Sequence, residues 1–189
     1  VSDIQENAPK MVLNSKQKLL VELIKASLAT SPEDKSLVFS SFLESLTGVA
    51  NALEAEGIEC GHLNGGMTLA KRKKALKRFM KESQPKVFLL TMQTGSVGIN
   101  LTAANRVYLL EPSYNPAVEV QAIARAWRFG QKKKVFVTRM YIPKTIEERM
   151  LERTQRIIMG TENSHKGESE SSSASSAASS SSSATSSSS

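Results

Sequence analysis

Two arginines and a glutamine are the residues in this chain best suited to chemistry. In Gln121-Ala-Ile-Ala-Arg125-Ala-Trp127-Arg128-Phe-Gly130-Gln131 they are spaced four residues apart and then three. On a helix of about 3.6 residues per turn that spacing brings Gln121, Arg125 and Arg128 onto one flank. Two guanidinium groups and an amide held in a fan suit phosphate oxygens, because guanidinium keeps its charge and offers a rigid fork of donors. A merely solvated helix flank would carry the same residue types, and the surrounding chain has to decide between the two.

The elements that would position this fan follow from patterning. Asn115-Pro116 reads as the helix start, since Asn caps and Pro lacks only an N–H that had no partner there. Val120, Ile123, Ala124 and Trp127 are expected to form its apolar face, with Gly130 ending it. Upstream, Leu19, Leu20, Leu23, Ile24 and Leu28 have helical spacing, stopped at Ser31-Pro32-Glu33-Asp34. Ser36 to Ser41 predicts a buried strand. Leu43, Leu46, Val49, Ala50 and Leu53 predict a second helix, ended by Gly57, and Ile58 to Leu63 a second strand before the Asn64-Gly65-Gly66 turn. Thr68 is placed to cap a third helix with Leu69, Ala75, Leu76, Phe79 and Met80 inward.

That third helix carries seven basic residues and no acidic one between Lys71 and Lys81, either a polyanion surface or a solvated face. Val87 to Thr91 predicts a third strand, apolar as expected for one covered on both faces. Gly95 and Gly98 mark a loop, and Arg106 to Leu110 is a fourth strand. Val135 to Ile142 reads as a fifth, with Ile146, Met150, Leu151 and Ile157 suggesting a closing helix. Strands alternating with helices imply an α/β fold, a parallel sheet with helices on both faces. Such sheets bind ligands in the loops after the strands: Ser40 to Glu44, Asn64 to Thr68, Thr91 to Asn100 and Glu111 to Asn115. Three of the four are rich in Ser, Thr, Gly and Asn, which let hydroxyls and backbone N–H groups approach phosphate.

Composition narrows the classes. From Ser171 to Ser189 there is only Ser, Ala and Thr, too little apolar surface to offset ordering entropy. We therefore expect a lead-in over residues 1–14, one lobe over 15–160 and a disordered Ser-rich tail over 161–189. The formal charge is +7, and between Met11 and Gly160 there are 23 Lys/Arg against 13 Asp/Glu, which favours a polyanionic partner. One cysteine, Cys60, excludes an internal disulfide framework and fits a core position. With two histidines in the chain, no metal site is expected. No signal peptide or membrane-length apolar run occurs, so an intracellular protein with no membrane partner is expected. Termini without natural-looking ends hint at a piece of something larger.

No Gly-x-x-x-x-Gly-Lys-Ser/Thr phosphate loop, Gly-x-Gly-x-x-Gly fingerprint or Gly-x-Ser-x-Gly elbow is present, which removes support for a self-sufficient nucleotide hydrolase, a dinucleotide oxidoreductase and a serine hydrolase. Gly95-Ser-Val-Gly98 alone is no more than a turn.

In order along the chain, Leu37-Val-Phe-Ser-Ser-Phe42, then His62-Leu-Asn-Gly65 followed by Arg72 and Phe79, then Leu90-Thr91-Met-Gln-Thr-Gly95-Ser96-Val-Gly98-Ile-Asn100-Leu101-Thr-Ala-Ala, and finally Asn115-Pro116 with Gln121-x-x-x-Arg125-x-x-Arg128-x-Gly130-Gln131 stand together. This set resembles the second, C-terminal RecA-like lobe of the SWI/SNF-like ATPases, the DNA-translocating branch of helicase superfamily two, over roughly Ser15 to Glu152. The resemblance implies a chromatin-remodelling or DNA-repair ATPase, nuclear, using ATP and Mg²⁺ held mainly by an N-terminal RecA-like lobe that this chain lacks. It implies arginine fingers at Arg125 and Arg128, with Gln121, Gly95 and Gly98 at the ATP cleft. Ser40, Ser41, Asn64, Gly65, Thr91, Ser96, Asn100 and Tyr114 would contact double-stranded DNA, nucleosomal or free. Tyr114 stands where many relatives have tryptophan, and a loop aromatic packed on its own lobe is the other reading of it.

Departures from the pattern are Ser96 for a second Gly, Trp127 for a frequent His and Met92 for a polar residue. Two alternatives stay open: a lobe of a strand-separating helicase, against which the Gln-Arg-Arg-Gly-Gln spacing speaks, and a non-catalytic basic nucleic-acid-binding module.

Overall fold

The computed structural model describes residues 13–63, 65–96, 98–157 and 160. The expected lead-in up to residue 12, the contact assigned to Asn64 and the Ser-rich tail lie outside the described residues.

Helix α1 (Ser15–Thr30) starts where Asn14 and Gln17 exchange side-chain-to-backbone hydrogen bonds, a reciprocal capping box. Strand β1 (Ser36–Ser40) is buried along its whole length. It leads into α2 (Leu43–Ala55), which ends before Gly57 at φ +73°, a conformation glycine adopts without strain. Then come β2 (Cys60–Leu63), α3 (Leu69–Lys81), whose Thr68 side chain caps Lys71 N–H, and β3 (Val87–Thr91). A short helix α4 (Met92–Ser96), β4 (Arg106–Leu109), α5 (Pro116–Ile123) and β5 (Phe136–Arg139) complete the order, and residues 146–157 are helical.

The five strands form one sheet in the order β2-β3-β1-β4-β5, every pair parallel. This is the α/β architecture expected of a RecA-like lobe. Alternation along each strand divides the core. Leu37, Phe39, Phe88, Leu90, Val107 and Leu109 face Phe79 of α3, Met92 of α4 and Ala122 of α5. Val38, Val87, Leu89 and Tyr108 face Leu20 and Ile24 of α1 and Leu46, Val49 and Leu53 of α2. The connection leaving β1 therefore goes to one face, and those leaving its neighbours β3 and β4 go to the other. The carboxyl end of β1 is thus a topological switch point, where open α/β sheets bind ligands.

Several expectations need correcting. The stretch after β3 is helical in α4 rather than a plain loop. Leu19, Leu43 and Leu69 are exposed rather than inward. Strand β5 is shorter than Val135 to Ile142, and Ile146 and Ile157 of the closing helix are exposed. Amphipathic period alone overcounts inward positions where a helix touches the sheet along a narrow stripe.

Polar ties hold the amino ends of the strands. Asp34 Oδ2 accepts from Arg106 Nε at 3.1 Å and its Oδ1 from Lys133 Nζ at 3.0 Å. Burial works against the Asp34 carboxylate, but Lys133, Asn105 and Arg106 outweigh it and hold its pKa below the usual value. Lys35 donates to the Phe79 and Glu82 carbonyls at the end of α3, and burial lowers its pKa. Cys60 is half-buried against the α1–α2 core, its thiol pushed up to about 12 by burial and then by Glu54 and Glu59. It is an inert structural thiol.

A group whose pKa is depressed on folding stabilises the fold above its unfolded pKa and loses that contribution as pH falls. Asp34→Ala is therefore expected to cost about 1.5–3 kcal/mol at neutral pH, the worth of hydrogen bonds to a charged group. In urea titrations that difference from wild type should shrink once pH falls below the ordinary carboxylate value of 3.8.

Candidate functional site

The two-arginine segment is built differently from the helix expected of it. Asn115 caps α5 by accepting from Ala117 N–H, with Pro116 at the first position, as its sequence suggests. The regular helix stops at Ile123, and the chain continues through tight turns. Arg125 N donates to Ala122 O at 3.1 Å, Ala126 N to Ile123 O at 3.0 Å and Trp127 N to Ile123 O at 3.0 Å. Gly130, at φ +98°, closes these turns rather than the helix. Arg125 and Arg128 thus lie beyond the helix end, while Gln121 is exposed on its last turn.

The expected apolar face holds only in part: Ile123 is half-buried and packs against the core, and Ala124 is half-buried. Val120 is 52% and Trp127 72% exposed, whereas Ala122 and Ala126 are buried in the core. Glu119, next to Val120, is instead fully buried: its Oε1 accepts from Ser113 N at 2.7 Å and its Oε2 from Arg139 Nε at 2.8 Å. A buried carboxylate needs such partners. Satisfying it turns Glu119 inward and ties α5 to β5 and to the loop after β4.

What replaces helical continuity is Gln131. Its Nε2 donates toward Ala104 O at 2.8 Å, Ala126 O at 3.1 Å and Thr102 O at 3.2 Å, so its two N–H bonds serve three carbonyls. Its Oε1 accepts from Lys133 N at 2.9 Å, and its own N donates to Arg128 O at 3.0 Å. Next to it, Leu101 N donates to Arg125 O at 3.0 Å. The arginine-bearing turns and the loop leading out of α4 are thereby held as one unit. Arg128 is exposed and lines a groove of about 470 Å³ with Trp127, Lys133 and Lys134 over a floor of Ile123, Val135 and Val137.

The other expected contacts gather at the carboxyl ends of the strands. Ser41 is exposed and its N donates to Glu111 Oε2 at 3.2 Å. Ser40 is fully buried, and its hydroxyl donates to Glu111 Oε1 at 3.0 Å. Burial raises the Glu111 pKa, only partly opposed by these two hydrogen bonds. The Thr91 hydroxyl lies 2.7 Å from that of Thr94 and accepts from Thr94 N at 3.2 Å. Asn100 Oδ1 accepts from Thr102 N at 3.1 Å, and Gly65 O accepts from Arg72 Nη2 at 3.1 Å. Gly98 is exposed, and Gly95 and Ser96 fall in α4. Tyr114 is 74% exposed with the Arg153 guanidinium 4.9 Å from its ring centre, a cation–π pair. Among the described residues no group of His, Cys, Asp and Glu is arranged to hold a metal ion, and no helix is long and apolar enough to cross a membrane.

Residues 15–130 match the helicase conserved C-terminal domain. The chain belongs to that family. It is 41% identical over 153 residues to a putative SWI/SNF-related matrix-associated actin-dependent regulator of chromatin, subfamily A member 3-like 1, of Arabidopsis thaliana, covering 80% of this chain and 17% of the relative. It is 36% identical over 135 residues to the DNA repair and recombination protein RAD54 of Saccharomyces cerevisiae, covering 71% of this chain and 15% of the relative. Among solved structures, the C-terminal part of the Fun30 ATPase domain superposes with a TM-score of 0.68 at 30% identity, covering 72% of this chain and 44% of that one. The chain thus spans less than a fifth of the length of these curated relatives.

Sequence reasoning missed Glu111, Glu119 and Arg153. It placed Gln131 in the motif without a task, and nothing in the local sequence signals the carbonyls it serves. Replacing that amide by Ala leaves carbonyls short of donors, which is expected to cost about 1–3 kcal/mol. Hydrogen exchange on Gln131→Ala should show faster exchange at the Leu101 amide than in wild type, with the strands of the sheet unchanged.

Proposed function

We propose that this helicase C-terminal domain is half of an ATP-driven double-stranded-DNA translocase, working in chromatin remodelling or DNA repair in the nucleus. The observation carrying this reading is the Gln131 clasp, which fixes Arg125 and Arg128 to the same body as the loop over residues 98–104. ATP and Mg²⁺ would sit mainly on an N-terminal RecA-like lobe. That division suits this chain, which offers cations and no phosphate loop. Arg125 and Arg128 would reach the γ-phosphate across the cleft, with Gln121, Gly95 and Gly98 beside them. They would stabilise charge developing on the transferred phosphoryl group. Bound Mg²⁺ would neutralise phosphate oxygens.

The DNA backbone would lie over the strand ends, at Ser41, Asn64, Gly65, Thr91, Ser96, Asn100 and Tyr114. Being buried, Ser40 would act through Glu111, which occupies the Ser41 N–H and would have to yield it to a phosphate. Because Leu101 N is bonded to Arg125 O, a displacement of the arginines when the cleft closes would be passed to the DNA loop. Contacts to phosphate rather than base edges would give little sequence preference.

In the full-length protein, Arg125→Ala and Arg128→Ala should each lower DNA-stimulated ATP hydrolysis by roughly 10³-fold or more, the usual scale for an arginine finger, while duplex affinity stays near wild type. The present chain alone should show no turnover above buffer. Unchanged hydrolysis in both variants would leave only a non-catalytic basic module, and turnover by the isolated chain would contradict the assignment of ATP to the missing lobe.

A further inference from the structure

Helix α3 packs Phe79, its one fully buried side chain among the described residues, and the partly buried Ala75, Leu76 and Met80 on the core. Arg78 and Lys81 in its last turn suit the helix dipole, but the rest of its charge pattern works against it. Lys73, Lys77 and Lys81 are all exposed and follow one another at four-residue intervals, and Lys74 stands three residues before Lys77. Like charges at such spacing destabilise a helix. Lys71 and Arg72 stand near the amino end with no acidic residue in the first turn, where the helix dipole disfavours cations.

Acidic neighbours do little to relieve this. Glu59 and Glu82 both pair with Arg78, and among the described residues Lys73, Lys77 and Lys81 have no ion pair. The row advances in steps of about 6 Å along the helix. It bears no aromatic side chain and no glutamate or aspartate within it, so it offers point charges without any means of reading shape or sequence. At the amino end of α3, Arg72 Nη2 donates to Gly65 O, joining the row to the loop after β2.

We propose that Lys73, Lys77 and Lys81 form a second nucleic-acid surface, running from the loop after β2 along α3 and binding the phosphodiester backbone of duplex DNA beyond the strand-end loops. The inference rests on the reading of duplex DNA as the track. Strand-end loops and α3 together would then grip a longer or bent stretch than the loops alone. Lysine suits this role because a phosphate chain presents a charge every ~3.4 Å per strand and needs no fixed fork of donors.

The test is duplex binding by the full-length protein without ATP, measured over a series of salt concentrations. Neutralising Z phosphates gives a slope of about −0.9Z in log affinity against log salt. Lys73→Gln/Lys77→Gln/Lys81→Gln should therefore flatten the slope by roughly 2–3 and weaken binding roughly tenfold at low salt. The matching triple Arg variant should bind like wild type. Lys18→Gln/Lys144→Gln removes charge elsewhere and should leave the slope unchanged. The triple Gln variant should melt at the same temperature as wild type or higher, since repulsion is relieved, whereas a structural role for the lysines predicts a lower one.

An unchanged slope in the triple Gln variant overturns the proposal, as does an equal loss in the Lys18/Lys144 control. Loss of binding to poly-glutamate with duplex binding intact would overturn it in favour of an acidic protein. Should Ser41→Glu and Asn100→Asp also leave duplex affinity untouched, the DNA-track reading itself fails; should they lower it while the lysine variant does not, only the α3 surface fails.

Discussion

One carboxamide holds the functional end of this domain together. Gln131 fills acceptors on two chain segments that no strand or helix joins: Thr102 and Ala104 on one side and Ala126 on the other. Ala104 and Ala126 are buried and Thr102 half-buried, and an unmet acceptor in such a place is costly. The glutamine acts as a small piece of backbone, supplying N–H groups that α5 no longer supplies after Ile123. Through it and the Leu101–Arg125 bond, the arginine-bearing turns and the loop over residues 98–104 become parts of one body. Coupling between two ligands needs no long relay when the residues serving them are already bonded neighbours.

Three acidic side chains arrange what surrounds that body. Asp34 gathers Arg106 and Lys133 at the amino ends of the strands. Glu119 gathers Ser113 N–H and Arg139 at the opposite end. Glu111 sits at the switch point and takes the donors of Ser40 and Ser41. Asp34 and Glu119 have cationic partners and serve architecture. Glu111 has no ion pair among the described residues, and burial raises its pKa. It therefore occupies, with a carboxylate, donors that would suit a phosphate.

The strands and their order of alternation with helices were legible because fully covered parallel strands are nearly continuous apolar runs. Val87 to Thr91 and Ser36 to Ser40 are clear cases, and the caps at Thr68, Asn115 and Gly57 could be read from single residues. The motif spacing likewise gave the family, which the match over residues 15–130 supports. Less legible was everything decided by a long-range polar bond. Period 3.6 predicts that Val120 and Trp127 face the core, but the helix stops before Trp127, and Glu119 turns inward to meet Arg139, twenty residues on, while Val120 is left exposed. The helix end at Ile123 has no glycine or proline to announce it. The turns beyond it are held by Gln131, whose Nε2 donates to the Ala126, Thr102 and Ala104 carbonyls, bonds invisible until the loop at 101–104 is placed. Leu69 and Leu43 show the same limit for apolar residues, because period reports which face they share and not how far the sheet extends beneath it.

On the proposed function, the domain would supply cations to a nucleotide held elsewhere, from a segment bonded to the loop over residues 98–104. The most direct measurement is a structure of the full-length protein bound to duplex DNA and a transition-state analogue of ATP. The expected picture has the guanidinium groups of Arg125 and Arg128 within hydrogen-bonding reach of the analogue on the other lobe, with the Gln131 bonds intact and residues 98–104 against the DNA backbone. Both guanidinium groups turned back onto carboxylates of their own lobe, with the analogue satisfied by other cations, would contradict it.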